Sequence, residues 1–123
     1  MSKILLVDDD EVFNESLKEY LEYKGFTVLS AFNGKQGLEM ISTEKPDLVI
    51  TDIVMPEVEG IELLTSVVID SLVQRPKIVV ISGGGRIGSS NYLSIAREIG
   101  ADAVFEKPLD FNLLVKEIND LLV

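Results

Sequence analysis

Short apolar runs alternate along the whole chain with longer segments in which apolar residues recur every three or four positions. The short runs have the length and composition of buried strands, and the longer segments have the period of amphipathic helices. Regular alternation of the two is the pattern of βαβ units, in which helices cover both faces of a parallel sheet. The pattern therefore predicts one doubly wound α/β domain over residues 1–123, with five strands and five helices.

Turn and cap residues set the bounds of these elements. Gly25 and Gly100 suit helix ends, Asn33 and Asp110 suit helix starts, and Pro46 must follow a helix. The predicted strands are 3–7, 26–30, 47–51, 77–81 and a short run ending at Phe105. The predicted helices lie near 11–24, from Asn33 to before Pro46, through 61–68, near 89–99 and from Asp110 onward.

Four of the apolar runs end in polar residues that could do chemistry. They are Asp8-Asp9-Asp10, Asp52, Ser82 and Glu106-Lys107. In an open parallel sheet, ligands bind outside the carboxyl ends of the strands, so these residues should meet in one crevice. Several carboxylates with one hydroxyl and one ammonium suit a divalent cation and an anionic group such as phosphate.

Composition narrows the function further. The 123 residues are 46% hydrophobic, enough for one core, and 21 acidic against 11 basic residues give a net charge of −10. That charge argues against direct binding to nucleic acid, which favours clustered Lys and Arg. The chain has no Cys and no His, so a metal must bind through oxygen. Without a signal-peptide pattern or a membrane span, we expect a cytoplasmic protein that does not bind membranes.

Four motifs in order, ILLVDDD, TDIVMPEVEG, VVISG and FEKP, resemble the receiver domain of two-component response regulators, and the resemblance covers the chain end to end. The most specific part is Asp52 with Met55-Pro56 and Gly60, which is similar to the phosphoacceptor loop of that family. The resemblance implies a flavodoxin-like sheet of strand order 2-1-3-4-5.

The resemblance also implies a role for each matching residue. Asp52 would be the phosphoacceptor and would form an aspartyl phosphate. Asp8 and Asp9, with Asp52 and the backbone carbonyl of Val54, would hold Mg²⁺, which favours all-oxygen sites. Lys107 would pair with Asp52 or with the phosphoryl oxygens.

Three further assignments follow from the same resemblance or from helix chemistry. Pro108 would follow a cis peptide bond that aims Lys107. Ser82 would supply the hydroxyl that moves to the phosphoryl group and shifts the loop behind it. Asp10 and Glu11 we assign to the first turn of the first helix, where acidic residues are favourable.

A receiver of this kind is a phosphorelay switch that catalyses only its own phosphorylation and dephosphorylation. The implied phosphodonor is a histidine kinase or a histidine phosphotransfer protein. The downstream protein target is unknown, and a phosphorylation-linked homodimer is possible within the family.

The sequence departs from the family pattern at two places. The position three before the lysine is usually aromatic, but here it is Val104, and Phe105 falls on the opposite face of the strand. Gly84 and Val54 stand where the family influences access of water to the phosphoryl group. Neither side chain can hydrogen-bond a water molecule, so we expect hydrolysis without help from these positions.

Three other interpretations stay open at this level. Asp8 and Asp10 with a later lysine resemble haloacid-dehalogenase phosphatases, although the further acidic motif of that family is missing. Gly83, Gly85 and Gly88 form a literal G-x-G-x-x-G, but on the fourth strand rather than the first. A receiver-like scaffold that acts without phosphorylation is the third.

Overall fold

The structure, a computed structural model, describes residues 2–52, 76–82 and 100–123. Five parallel strands form one sheet of order β2-β1-β3-β4-β5. The strands are β1 Lys3–Val7, β2 Thr27–Ala31, β3 Leu48–Asp52, β4 Lys77–Ser82 and β5 Ala103–Glu106, and the described helices are α1 Glu11–Tyr23, α2 Gly34–Glu44 and α3 Phe111–Leu121. The predicted fold class and strand order are confirmed. The helices predicted through 61–68 and near 89–99 lie outside the described residues.

The apolar strands are buried on both faces of the sheet. Leu6 belongs to a core cluster completed by Leu17 of α1 and Leu114 of α3, whereas its neighbour Leu5 points into a second cluster packed against α2. Successive residues of a strand face opposite sides of a sheet. Continuous apolar runs such as Ile4–Val7 are therefore required here, because helices cover both faces.

Two strand starts differ by one residue from the prediction, since β2 begins at Thr27 and β3 at Leu48. The backbone N–H of Phe26 donates to the carbonyl of Leu21, so this residue closes the end of α1 and does not pair in the sheet. Asp47 Oδ2 accepts a hydrogen bond from the backbone of Lys3 at 2.8 Å. The Asp47 backbone also bonds to both neighbouring strands, because its N–H donates to the carbonyl of Lys3 at 2.8 Å and its carbonyl accepts from the N–H of Lys77 at 3.0 Å. Asp47 thus lies at the amino end of the ladder, one residue before β3.

Side-chain caps and a glycine set the helix limits, as predicted. Asp10, Asn33 and Asp110 each accept a hydrogen bond from a backbone N–H of the first helical turn. Gly25 has φ +100°, a conformation that other residues rarely adopt, and it turns the chain from α1 into β2. Among the described residues, no helix is long and apolar enough to cross a membrane.

Candidate functional site

Three of the predicted site residues meet at the carboxyl edge of the sheet. Asp8 directly follows β1, Asp52 is the last residue of β3, and Lys107 directly follows β5. The Nζ atom of Lys107 lies 3.0 Å from Asp8 Oδ2 and 3.8 Å from Asp52 Oδ2. The first distance is a hydrogen bond and the second is an ion pair only. Lys107 is therefore held more tightly by Asp8 than by Asp52, the partner that the family resemblance implied.

The Asp8 side chain is almost entirely buried, with 1% of it exposed, and both of its oxygens have partners. Oδ1 accepts a hydrogen bond from the backbone N–H of Asp10 at 2.9 Å, and Oδ2 accepts the one from Lys107. Burial raises the pKa of the Asp8 carboxyl above its usual value, because removal from water disfavours the charged form. The two hydrogen bonds and the nearby ammonium oppose that rise.

Asn14 on α1 fixes the backbone at this edge, a role that the sequence analysis missed. Its Nδ2 donates to the carbonyls of Asp8 at 3.1 Å and Ala31 at 3.0 Å, and its Oδ1 accepts from Ser30 Oγ at 2.6 Å. The side chain is fully buried and thereby ties the ends of β1 and β2 to α1. The sequence did contain a signal for this role. Asn14 stands three residues before Leu17 and seven before Leu21, so helical spacing places this polar side chain on the buried apolar face of α1.

The acidic residues of the site have the arrangement of a cation site. Asp8, Asp9 and Asp52 each offer a carboxylate oxygen, and these oxygens lie within 4.8 Å of one another. Asp8 and Asp52 are buried, whereas Asp9 is exposed and gives access from solvent. Three carboxylate oxygens at an open edge fit Mg²⁺, which takes oxygen ligands and keeps several waters. Val54, whose carbonyl was expected to complete the set, lies outside the described residues.

The other residues singled out by the sequence are described by the structure only in part. The peptide bond between Lys107 and Pro108 is cis, as expected. Ser82 ends β4 opposite Glu106 in the sheet register, but the position of its hydroxyl lies outside what the structure describes. Glu11 lies in the first turn of α1, as assigned, whereas Asp10 is the N-cap of this helix, one residue before that turn. Gly84 and the glycine-rich segment that includes it also lie outside the described residues.

The prediction for the fifth strand is confirmed for Phe105. This side chain packs against the core cluster that contains Leu6, on the side of the sheet covered by α1 and α3. Strand alternation places Val104 on the other side. An aromatic ring is therefore present in β5, but on the face opposite to the position that the family uses.

Comparison with protein families gives one consistent result. The family model described as the response regulator receiver domain matches residues 4–119. The chain is 34% identical over 116 residues to the transcriptional regulatory protein CrdR of Helicobacter pylori, which covers 94% of this chain and 53% of CrdR. It is 35% identical over 122 residues to CpxR of Escherichia coli K12, covering 99% of this chain and 50% of CpxR. The chain thus spans about half the length of these two relatives.

Solved structures agree with the sequence relatives. A response regulator signal receiver domain from Bermanella marisrubri superposes with a TM-score of 0.88 at 31% identity, and the match covers 98% of each chain. A CheY-like response regulator receiver domain protein from Methanospirillum hungatei gives a TM-score of 0.85 at 32% identity, covering 99% of this chain and 94% of the other. The likeness in fold therefore extends over nearly the whole length of this chain.

Proposed function

The chain belongs to the response regulator receiver domain family, and from that premise we propose that it is a phosphorelay switch in which Asp52 accepts the phosphoryl group. Proteins of this family act in signalling and are not enzymes in the ordinary sense. The specific assignment of Asp52, Lys107, Asp8 and Asp9 to the reaction is the proposal. The cluster of these four side chains at one edge of the sheet is the observation that carries it.

Asp52 is the carboxylate best suited to be the nucleophile. Asp8 is engaged at both oxygens, by a backbone N–H and by the Lys107 ammonium, and is almost fully enclosed. Asp52 ends β3 within ion-pair distance of the same ammonium, with its Oδ2 atom 3.8 Å from Nζ. A cation in this position favours the ionised carboxylate and can accept the negative charge of an approaching phosphoryl group.

The reaction proposed for Asp52 is a phosphoryl transfer from a phosphohistidine. A carboxylate oxygen of Asp52 forms a bond to phosphorus while the phosphorus–nitrogen bond to the donor imidazole breaks. The electron pair of that bond stays with the imidazole nitrogen, which takes up a proton from solvent. Lys107 stays beside the new phosphoryl oxygens and stabilises their charge.

Asp8, Asp9 and Asp52 are the residues that would hold Mg²⁺. When bound, the ion offsets the mutual repulsion of the carboxylates and the phosphoryl oxygens and acts as a Lewis acid on the transferring group. Without a cation, repulsion between two carboxylates at about 4 Å amounts to about 4 kcal/mol at an effective dielectric constant of 20. Acceptance of a dianionic donor group by this edge should therefore depend on the metal.

The partners are proposed on the same basis. A histidine kinase or a histidine phosphotransfer protein would be the donor, and a protein target or a second copy of the chain would respond to phosphorylation. CrdR and CpxR are named as transcriptional regulatory proteins, and this chain spans about half of each. Absence of direct nucleic-acid binding and a cytoplasmic location stay predictions for this chain.

The test is the intact mass of the protein after incubation with acetyl phosphate, with Mg²⁺ or with EDTA. We expect a gain of about 80 Da, one phosphoryl group on a carboxylate, that requires Mg²⁺ and is lost in Asp52→Asn. Asp10→Asn is the matched control, because it removes the same charge from the same edge while asparagine caps the helix equally well. This control should be phosphorylated like the parent.

Three results would contradict the assignment. An adduct that persists in Asp52→Asn would move the phosphoacceptor to another residue. Loss of the adduct in Asp8→Asn, together with its retention in Asp52→Asn, would favour a phosphatase-like nucleophile at Asp8. Lack of an adduct on the folded parent would indicate a receiver fold that is used without phosphorylation by small donors.

A further inference from the structure

Besides its contacts with the carboxylates of Asp8 and Asp52, the Lys107 ammonium has a third contact, with an aromatic ring. Its Nζ atom lies 4.1 Å from the centroid of the Phe13 ring, within the range of a cation–π contact. The ammonium is thus held between Asp8, Asp52 and an aromatic face. About one fifth of the Lys107 side chain is exposed, at 21%.

The Phe13 ring is itself fixed by its surroundings on α1 and α3. The backbone N–H of Phe13 donates to the side chain of Asp10, the N-cap of α1, at 3.1 Å. The ring of Phe111, the first residue of α3, makes an edge contact with it, with centroids 6.3 Å apart and an interplanar angle of 74°. Offset edge-to-face geometry of this kind is a favourable arrangement of two rings.

A second ring supports the first. Tyr20 of α1 lies 5.3 Å from Phe111 between centroids, and its hydroxyl donates to Asn112 Oδ1 at 2.5 Å. The three rings therefore run from the site along the groove between α1 and α3. Phe111 thus contacts both rings of α1 and links Phe13 to Tyr20.

A contact that restrains the ammonium is useful where a lysine must keep its charge at one position in a reaction. Its charge sits at the end of a flexible four-carbon chain that has about 2 kcal/mol of rotamer entropy to lose. The carboxylates attract the ammonium, and the ring face adds a further attractive contact at 4.1 Å. Cation–π contacts are also stronger where water is partly excluded, as it is at this edge.

We propose that Phe13 is a positioning residue for phosphoryl transfer, whose ring holds the Lys107 ammonium beside Asp52. This inference rests on the function proposed above and deepens it. Phe13 acts through Lys107 and has no contact of its own with the reacting atoms in the proposal. The sequence alone gave no reason to single out this residue, which reads as an ordinary apolar position of α1.

The first experiment compares the rate constant for adduct formation with acetyl phosphate at saturating Mg²⁺ among three variants. We expect Phe13→Leu to be slower than the parent by about threefold to tenfold, the range expected of a cation–π contact. Phe13→Tyr keeps the ring and should restore most of the rate. Phe26→Leu is the matched control, because Phe26 packs on the same core cluster at the opposite edge of the sheet, and its rate should equal that of the parent.

A double-mutant cycle separates positioning from a general loss of packing. In a Lys107→Met background, replacing Phe13 by leucine should change the rate much less than in the parent, because the contact is already absent. Equal effects of Phe13→Leu in the two backgrounds would show that Phe13 does not act through Lys107 and would overturn the proposal.

A direct readout needs no phosphorylation activity, and its first measurement is made on the parent protein. In the parent, the ε-methylene protons of Lys107 should resonate upfield of ordinary lysines because they lie against the Phe13 ring. The upfield position should be lost in Phe13→Leu and kept in Phe13→Tyr. Ordinary lysine shifts in the parent would overturn the inference even if Asp52 is phosphorylated, whereas an upfield shift without any adduct on the parent would leave the contact in place and remove the proposed function.

Discussion

At the scale of single residues, Asp8 has the most unusual surroundings of the site. It is buried, its carboxylate faces Lys107, and its backbone carbonyl accepts from Asn14. Burial is the largest influence on its pKa and raises it, so the ionised form costs folding free energy that its hydrogen bonds offset only in part. A position kept ionisable in spite of such a cost is typical of a binding or catalytic site.

The raised pKa predicts how Asp8 affects stability across pH. In EDTA, the folded protein keeps the Asp8 proton to higher pH than the unfolded chain, whose carboxyl titrates near 3.8. The contribution of Asp8 to the free energy of unfolding is therefore most favourable below that value and falls as pH rises through the folded pKa. Asp8→Asn cannot titrate, so it should be more stable than the parent at neutral pH, by on the order of 1 kcal/mol.

Urea unfolding at several pH values, in EDTA, checks this expectation. The advantage of Asp8→Asn over the parent should shrink as pH is lowered toward 3.8. Asp120→Asn, which removes a charge from the exposed surface of α3, controls for the change in net charge. A constant difference between Asp8→Asn and the parent at all pH values would mean that titration of Asp8 is not its cause.

At the scale of elements, α3 links the core to the functional edge. Leu114 and Ile118 bury one face of this helix against β-strand residues, and Phe111 at its start lies behind Phe13. The start is fixed by Asp110, whose Oδ1 accepts from the backbone N–H groups of Asn112 and Leu113 at 2.9 and 3.3 Å. The cap thus determines where the first aromatic ring of the helix stands.

Removal of this cap should have a measurable cost. We expect Asp110→Ala to lower the free energy of unfolding by about 1 kcal/mol, because two backbone donors of the first turn lose their acceptor. Asp120→Ala is the matched control at the other end of α3, where a negative charge is unfavourable to the helix dipole. The control should be neutral or slightly stabilising in the same urea titration, and an equal loss in both variants would contradict the capping role.

At the scale of the whole molecule, an acidic chain brings three of its carboxylates together where its parallel strands end. The net charge is −10, and three carboxylates share one edge with a single described ammonium, that of Lys107. A sheet buried on both faces holds these groups in place, since β1 and β3 are packed between helices and cannot move apart without opening the core. The fold therefore holds these carboxylates together as a cation site, although their mutual repulsion favours their separation.

Binding of Mg²⁺ should accordingly stabilise the fold as a whole. Preferential binding to the folded state adds about 2.7 kcal/mol when the free ion reaches 100 times its dissociation constant. Thermal unfolding of the parent should shift upward with MgCl₂, more than with NaCl of equal ionic strength. Asp9→Asn, at an exposed position, should lose most of the difference, while Asp10→Asn should keep it; equal responses of both variants would indicate general screening.

The sequence alone determined the fold class, the strand order through its family resemblance, and the edge of the sheet where the site lies. The fold class and the position of the site follow from local facts, namely the apolar period of each segment, the caps, and the polar residues at strand ends, whereas the strand order is what the resemblance implied. The one-residue shift of β2 arose because the backbone N–H of Phe26 closes the end of α1, which local propensity does not show. The shift of β3 is smaller in kind, because Asp47 still bonds to Lys3 and Lys77 through its backbone.

The tertiary structure alone decided which atoms meet within that edge. Lys107 and Asp8 are 99 residues apart, and their hydrogen bond depends on the positions of β1 and β5 and on the rotamers of both side chains. The same holds for Asn14, whose amide joins α1 to two strand ends, and for Phe13, whose ring is oriented by a helix nearly one hundred residues later. Periodicity specifies the face on which a side chain lies, whereas its partner is chosen by packing between elements that are distant in sequence.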